Sequence, residues 1–146
     1  MRQARLGIIG GGLMGRELAA LCGRWMHLVD HPVQPRVVTV ADVNPDARAW
    51  FQQVPTIERL TDSWQEVVED DTLDVLYIAV PHNLHEDMYT AAAAAGRDFL
   101  AEKPFGIDFA SAQRIQQAVA ASGSFVRVSS EMPFFPGALQ IGRAHV

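Results

Sequence analysis

One lysine stands out in this sequence, because every other Lys or Arg position holds arginine. Lys103 lies in the segment FLAEKPFG, between Glu102 and Pro104. Arginine would serve equally well as an exposed, solvated cation. Only lysine offers a compact ammonium that can lose its proton at an accessible pH. The position therefore indicates acid–base chemistry, and a surface lysine without a chemical role is the alternative.

A glycine pattern near the N-terminus fits the phosphates of a nucleotide. Gly10, Gly12 and Gly15 form G-x-G-x-x-G, after a short apolar run and before a stretch with helical spacing. Such glycines permit a tight turn, a close approach of the backbone to a pyrophosphate and close helix–strand packing. The free N–H groups of the helix start attract the pyrophosphate. We predict that this turn, with Leu13 and Met14, binds a dinucleotide; a glycine-rich turn without a ligand is the alternative.

A carboxylate follows the second predicted strand. Asp42 comes 27 residues after Gly15, beyond the usual offset of about 20, and the polar connection at 31–35 absorbs the excess. A carboxylate there can accept both hydroxyls of an adenosine ribose and would repel a 2′-phosphate. Asp42 therefore predicts NAD in preference to NADP, with NADP as the second choice. Helix capping by Asp42 is the alternative, although Asn44 is already placed to cap.

Two histidines lie in the segment VPHNLH, just past another predicted strand. One interpretation places Val80, Pro81, His82 and His85 against the cofactor. A zinc site is a second interpretation, but no third ligand with suitable spacing is nearby, and we predict no metal. A plain capping turn is the third. Because a helix N-terminus disfavours an imidazolium, His85 is expected to be neutral.

These groups are expected to converge because each one follows a strand of the same sheet. The hydrophobic pattern predicts the order βαβα(β)αβαβαβ, with strands at 5–10, 36–43, 73–80, 97–103 and 124–130. Alternation with short loops predicts an α/β fold with a doubly wound parallel sheet, the Rossmann dinucleotide-binding architecture. In such a sheet, ligands bind at the carboxyl ends of the strands.

Local signals are expected to set the faces and ends of the helices. The first helix has leucines at helical spacing, which predicts that they share one face. Polar residues with capping spacing precede the later helices, and glycines follow them. The residues concerned are Leu13, Leu18 and Leu21 on the first helix, Asn44, Ser63 with Glu66 and Asn83 with Glu86 as caps, and Gly96 and Gly123 as stops.

Composition and charge exclude several classes of protein. About half of the 146 residues are apolar and a fifth are charged, an ordinary globular mixture. The net charge is −5 with no basic run, which argues against nucleic acid or an anionic membrane as a partner. No apolar stretch is long enough to span a membrane. Cys22 is the only cysteine, so no internal disulfide is expected and a cytoplasmic location fits.

Together the motifs resemble the N-terminal half of the Gfo/Idh/MocA family of nicotinamide-dependent oxidoreductases. The family pattern is a glycine fingerprint, an acidic end to the second strand, T-P-N-x-x-H and A-G-K-H-V-x-x-E-K-P. It is matched here by GGGLMG, VADVN, VPHNLH and AAGRDFLAEKP. The resemblance implies that Lys103 lies beside the nicotinamide and the reacting hydroxyl, as the catalytic residue. It also implies that Pro81, His85 and Glu102 belong to the cofactor site.

The sequence departs from the family pattern at three of these positions. Val80 replaces the usual threonine, His82 the usual asparagine and Arg97 the usual lysine. Imidazole and amide form different hydrogen bonds, so His82 would alter the contact to the nicotinamide ribose.

The resemblance covers nearly the whole chain, but only the first half of the family pattern. We therefore predict a dinucleotide-binding domain at 1–128 and the start of a truncated substrate domain at 129–140. The final segment IGRAHV, at 141–146, does not continue the family pattern, and we expect it to be a non-native tail.

The function implied by the resemblance is hydride transfer between NAD(P) and a polyol, sugar or similar hydroxyl compound. Lys103 would polarise or deprotonate the hydroxyl as its carbon gives up hydride. The full-length protein is expected to be a homo-oligomer that takes a small-molecule substrate. The alternative is a nucleotide-binding module without catalysis of its own.

Overall fold

Six parallel strands form one sheet in the computed structural model, which describes residues 1–130 together with Pro136 and Gln140. The strands are β1 (Arg2–Ile9), β2 (Val33–Ala41), β3 (Arg59–Thr61), β4 (Val75–Ile78), β5 (Phe99–Ala101) and β6 (Val126–Val128). Their order across the sheet is β3-β2-β1-β4-β5-β6. The chain winds outward from β1 to one edge and then returns beside β1 to wind toward the other. The predicted doubly wound parallel sheet is thus confirmed, and its switch point lies between β1 and β4.

Helices connect successive strands and cover both faces of the sheet. They are α1 (Leu13–Gly23), α2 (Pro45–Phe51), α3 (Trp64–Val68), α4 (His85–Ala94) and α5 (Phe109–Ser122), with short 3-10 turns at Trp25–His27 and His82–Leu84. The predicted alternation of strands and helices is confirmed, including the short β3. None of the described helices is long and apolar enough to cross a membrane.

The core consists of two apolar layers, one on each face of the sheet. On one side Phe51 of α2 and Ala19 of α1 pack against Ile8 and Val40 of the strands. On the other side α3, α4 and α5 bury residues such as Tyr89 against the opposite face of the strands. The central strands are therefore apolar on both faces, as buried parallel strands must be.

The buried face of α1 differs from the predicted leucine stripe, which is wrong. The side of the helix that packs on the sheet carries Gly15, Ala19 and Cys22, whereas Leu13 is 74% exposed and Leu21 is 55% exposed. A Cβ added at Gly15 would lie only 2.2 Å from the carbonyl oxygen of Gly10. Because the helix approaches the strand this closely at Gly15, only small side chains fit there; Leu13 and Leu21 are exposed, and Leu18 is half-buried against the core.

Two of the helix signals are confirmed. The Asn44 side chain accepts a hydrogen bond of 2.9 Å from the Asp46 N–H, and Pro45 opens α2. At the end of α5, Gly123 adopts φ +75°, a left-handed conformation that glycine tolerates best. These residues therefore set the start of α2 and the end of α5.

Two predicted capping boxes are wrong. Ser63 precedes α3 but makes no capping bond, because its partner Glu66 instead accepts hydrogen bonds from Thr61 and Arg59. Asn83 lies inside a 3-10 turn, and Leu84 takes the cap position of α4. Glu86 pairs with Arg114 of α5 through an N–H···O bond of 2.8 Å. In both cases a side chain from a neighbouring element takes the glutamate away from the local cap, β3 for Glu66 and α5 for Glu86.

The domain boundaries predicted from the sequence stay predictions. Strand β6 ends at Val128. Of the predicted second-domain start, only residues 129, 130, 136 and 140 are described. The predicted tail at 141–146 lies outside the described residues.

The buried thiol of Cys22 generates the first prediction. Burial raises its pKa from 9.0 to about 11, so the folded protein keeps the thiol protonated where the unfolded chain loses the proton. Folding stability from this group is therefore lost as pH rises from about 9 to about 11. Between pH 8 and 10 the wild type should lose about 1 kcal/mol more unfolding free energy than Cys22→Ala, as measured by urea denaturation. Equal pH dependence in the two proteins would contradict this account.

Candidate cofactor site

A cleft of about 360 Å³ opens at the carboxyl edge of the sheet, at the switch point between β1 and β4. Five residues predicted from the sequence line it: Gly10, Gly12, Asp42, Val80 and Pro81. They come from three separate strand ends. The sheet therefore brings the glycine turn, Asp42 and Val80–Pro81 to one place, at the edge where doubly wound folds bind ligands, whereas Lys103 does not line this cleft.

The glycine turn leaves room beside the start of α1. Gly10 has φ +103°, and its N–H donates to the Ala41 carbonyl over 2.9 Å, which ties the turn to β2. A Cβ added at Gly12 would meet no atom within 4 Å. The first turn of α1 has neither a side-chain cap nor an acidic residue, and the side chains of Leu13 and Met14 are exposed beside it. Open space next to uncapped N–H groups suits a pyrophosphate.

Asp42 joins the glycine turn to the end of β2. Its Oδ2 accepts a hydrogen bond of 2.7 Å from the Gly11 N–H, and its Oδ1 accepts one of 2.8 Å from the Asn44 N–H. The helix cap of α2 is Asn44, so Asp42 does not cap that helix. Each carboxylate oxygen keeps acceptor capacity for a second donor. The backbone contacts therefore fix the carboxylate on the wall of the cleft while leaving it able to accept ribose hydroxyls.

The apolar part of the cleft was missed by sequence reasoning. Trp64 at the start of α3 and Leu84 and Met88 around the start of α4 line it together with Val80. An apolar slot beside a few polar groups suits the faces of an aromatic base. In the sequence, only the positions of these residues could have indicated the apolar lining: Trp64 follows closely after β3, and Leu84 and Met88 lie four residues apart.

The histidines of the segment VPHNLH occupy different environments. His82 is exposed in the 3-10 turn, whereas His85 is completely buried. The Nδ1 atom of His85 lies 2.8 Å from the Pro104 carbonyl oxygen, and its Nε2 atom lies 3.0 Å from the Val80 carbonyl oxygen. Both ring nitrogens therefore face main-chain oxygens. Among the described residues, no three His, Cys, Asp or Glu side chains gather as metal ligands would.

Glu102 and Lys103 point to opposite sides just after β5, as strand alternation predicts. Glu102 is buried and Lys103 is exposed. The Glu102 carboxylate accepts the Tyr77 hydroxyl and, over 3.2 Å, the Lys103 N–H. Burial is the main cause that raises the pKa of Tyr77, and the hydrogen bond to the Glu102 carboxylate raises it further. The Tyr77 hydroxyl therefore stays a donor. The Tyr89 hydroxyl donates to the Glu102 carbonyl over 3.0 Å.

The segment that carries Lys103 is therefore anchored on both sides of the lysine. Glu102 is held by two tyrosines, and the Pro104 carbonyl faces His85; the Lys103–Pro104 peptide bond is cis. Because His85 also contacts the Val80 carbonyl, a single imidazole bridges the cleft wall and the lysine segment.

Comparisons with known proteins agree with this geometry. The Gfo/Idh/MocA sequence model, described as an oxidoreductase family with an NAD-binding Rossmann fold, matches residues 4–130. Levoglucosan dehydrogenase of Pseudarthrobacter phenanthrenivorans is 32% identical over 105 residues, which cover 71% of this chain and 27% of that protein.

Solved structures give the same result. An NAD-binding oxidoreductase from Klebsiella pneumoniae superposes with a TM-score of 0.83 at 31% identity, over 97% of this chain and 39% of that one. Levoglucosan dehydrogenase in complex with NADH and levoglucosan superposes with a TM-score of 0.76 at 27% identity, over 86% of this chain and 35% of that one. The chain thus spans about a third of the length of these relatives.

Gly12, at the N-cap of α1, and Gly15, inside α1, generate a paired prediction, because Gly15 is closely packed and Gly12 faces open space. Gly15→Ala should lower the unfolding free energy by about 1–3 kcal/mol, since its Cβ would collide with the Gly10 carbonyl. Gly12→Ala should lower the unfolding free energy by about 0.5–1 kcal/mol, because alanine is a poorer N-cap residue than glycine. It should weaken NAD⁺ binding by about tenfold or more, because the methyl would fill the space for the pyrophosphate. Denaturation and calorimetric titration measure the two effects. Unchanged NAD⁺ affinity in Gly12→Ala would place the pyrophosphate elsewhere.

Proposed function

The chain belongs to the Gfo/Idh/MocA family of NAD-binding oxidoreductases, and from this premise we propose that it is the NAD-binding half of a dehydrogenase acting on a polyol, a sugar or a similar hydroxyl compound. The observation that carries the proposal is the bridge made by His85. It connects the wall of the cleft at Val80 to the segment that presents Lys103. A dinucleotide in the cleft would thus end close to the one lysine of the chain.

The orientation of NAD follows from what each part of the cleft offers. The pyrophosphate lies on the turn from Gly10 to Gly15, with Leu13 and Met14 in the first turn of α1. The adenosine ribose lies on Asp42, and the adenine lies against the apolar wall that includes Trp64. The nicotinamide then extends past Val80, Pro81 and His82 toward Lys103, with Glu102 and His85 supporting that end from the interior.

The chemistry proposed for Lys103 is proton transfer at its Nζ atom. When bound, NAD⁺ supplies the hydride acceptor. As the substrate carbon loses hydride, the hydroxyl proton would pass to the lone pair of Nζ in the amine form; in the ammonium form Nζ would instead polarise the hydroxyl by donating to its oxygen. Arginine could not accept that proton, which explains a lysine in an otherwise arginine-only chain. The NADH complex of levoglucosan dehydrogenase, a sugar-derivative enzyme of similar fold, supports this cofactor and this substrate class.

The substrate and the assembly of the whole protein are part of the same proposal. Because the chain spans about a third of its relatives, the walls of the substrate pocket are expected from a second domain. By itself the chain is expected to bind NAD without turnover, because substrate orientation needs those walls. The whole protein is proposed to act as a homo-oligomer on a small molecule. Turnover by the pure chain with a sugar or polyol would contradict the expectation that catalysis needs the second domain.

The Asp42 carboxylate generates a prediction about cofactor choice. NAD⁺ should bind at least about tenfold more tightly than NADP⁺, because a 2′-phosphate would lie against a fixed negative charge. Asp42→Asn should reduce the ratio of the NADP⁺ dissociation constant to the NAD⁺ dissociation constant. Asp46 is an exposed acid four residues away, so the control variant Asp46→Asn should leave this ratio within about twofold of the wild-type value. Calorimetric titration of each protein with both cofactors measures the ratio. Tighter binding of NADP⁺ to the wild type would show that Asp42 does not contact the ribose.

The lysine generates a prediction about catalysis in the whole protein. Lys103→Arg keeps the charge, so a purely electrostatic role would preserve activity. We expect instead a loss of kcat by about 10²–10⁴-fold at saturating NAD⁺, with NAD⁺ affinity kept within a few-fold. Arg24→Lys, at the exposed end of α1, is the matched control and should leave kcat unchanged. Near-normal turnover of Lys103→Arg would indicate that Lys103 is a surface lysine without a chemical role.

A further inference from the structure

His85 is the most constrained ionisable side chain near the proposed site. It opens α4, it is fully buried, and its ring packs against Tyr89 at a centroid distance of 4.8 Å and against His82 at 5.3 Å. A side chain without any exposed surface cannot touch a ligand in the cleft. Its contribution to cofactor binding or to catalysis must therefore pass through the groups that it contacts.

Those groups belong to two different segments of the proposed site. Nε2 lies 3.0 Å from the carbonyl of Val80, whose neighbour Pro81 lines the cleft. Nδ1 lies 2.8 Å from the carbonyl of Pro104, which directly follows Lys103. A neutral imidazole donates from one nitrogen only, so one of the two contacts is an N–H···O hydrogen bond and the other is a packing contact. Because the ring is rigid, a displacement of one carbonyl still changes the position available to the other.

The same helix holds the other side of the lysine. Tyr89, one turn after His85, donates its hydroxyl to the Glu102 carbonyl over 3.0 Å. Helix α4 thus contacts the residue before Lys103 and the residue after it. Among the hydrogen-bond contacts that α4 makes within the described residues to the lysine segment, the His85 contact is the one that continues to the cleft wall, since the Tyr89 hydroxyl donates to Glu102.

We propose that His85 is a positioning residue that couples occupancy of the cleft at Val80–Pro81 to the placement of Lys103. This inference rests on the proposed function, since it assumes that a nucleotide occupies the cleft. The nucleotide contacts the turn at Val80–Pro81, the rigid imidazole transmits the adjustment to Pro104, and the backbone of Lys103 follows. Tyr89 fixes the other end of the lysine segment and takes no part in the coupling.

The single lysine makes the test selective. Reductive methylation with ¹³C-formaldehyde labels only Lys103 and the N-terminal amine of this chain. ADP serves as the probe, because its adenine lies on the apolar wall that includes Val80 and its two phosphates lie on the Gly10 turn beside that side chain, whereas it carries no nicotinamide. Any ADP-induced shift of the dimethyl-Lys103 resonance therefore arises through the protein, whereas NAD⁺ could also act by direct contact.

Two near-isosteric variants separate the two contacts of the ring. His85→Asn places an amide nitrogen near the position of Nδ1 and can keep the Pro104 contact. His85→Gln places one near Nε2 and can keep the Val80 contact. Tyr89→Phe is the matched control, because it removes only the hydroxyl bond to Glu102 from the same helix. Thermal unfolding of each variant verifies that it folds.

If His85 couples the cleft to Lys103, the Lys103 resonance should respond to ADP differently in the His85 variants than in the wild type and the control. ADP should shift the Lys103 resonance in the wild type and in Tyr89→Phe. The shift should fall to about half or less in both His85 variants at saturating ADP, because each keeps only one end of the bridge. Without ligand, the Lys103 resonance should broaden or divide in His85→Gln, which loses Pro104, and stay as in the wild type in His85→Asn.

Two results would overturn the inference. One is a Lys103 resonance in the wild type that does not respond to saturating ADP, which needs no variant to fold. The other is a full ADP response in both His85 variants. A failure of the proposed function is distinguishable, because neither ADP nor NAD⁺ would then bind the wild type. In that case the ligand-free comparison of His85→Asn with His85→Gln still decides whether His85 positions Lys103.

Discussion

A buried carboxylate is the constraint on which the proposed site depends. Glu102 lies at the end of β5 inside the protein, where an ionised group is costly unless donors surround it. The Tyr77 hydroxyl and the Lys103 N–H supply those donors. Since consecutive residues of an extended chain point to opposite sides, fixing Glu102 inward fixes Lys103 outward. Lys103 is therefore exposed at the carboxyl edge because the carboxylate of its neighbour, Glu102, is buried.

A second constraint arises where α1 crosses β1 without a side chain between them. The close approach at Gly15 sets the helix start beside the Gly10 turn, and the Asp42 carboxylate holds that turn through the Gly11 N–H. The same backbone turn thus orients the N–H groups at the start of α1 and the Asp42 carboxylate. The parts of the cleft proposed for the pyrophosphate and the adenosine ribose are consequently held at a fixed distance from each other, which suits a ligand that spans both.

The predictions from the sequence hold for features that depend on chain order, and they fail where contacts between different helices and strands decide the outcome. Strand order and the convergence of Gly12, Asp42 and Val80 follow from the alternation of apolar strands and helices, which is local information. The leucine face of α1 was wrong because the distance to β1, and not hydrophobicity, selects small residues there. The cap at Ser63 was wrong because Arg59 and Thr61 bind Glu66 in the folded chain. The double contact of His85 joins segments 24 residues apart, from Val80 to Pro104, and no pattern within either segment indicates it.

The central claim is that the anchored segment Glu102–Lys103–Pro104 presents Lys103 to the nicotinamide end of an NAD bound in the cleft. A crystal structure of this chain with NAD⁺ tests it directly. The account predicts the pyrophosphate at Gly12, the adenosine ribose on Asp42 and the Lys103 ammonium in contact with the nicotinamide or its ribose. A nicotinamide directed away from β5, or NAD⁺ bound outside the cleft at the β1–β4 switch point, would contradict it.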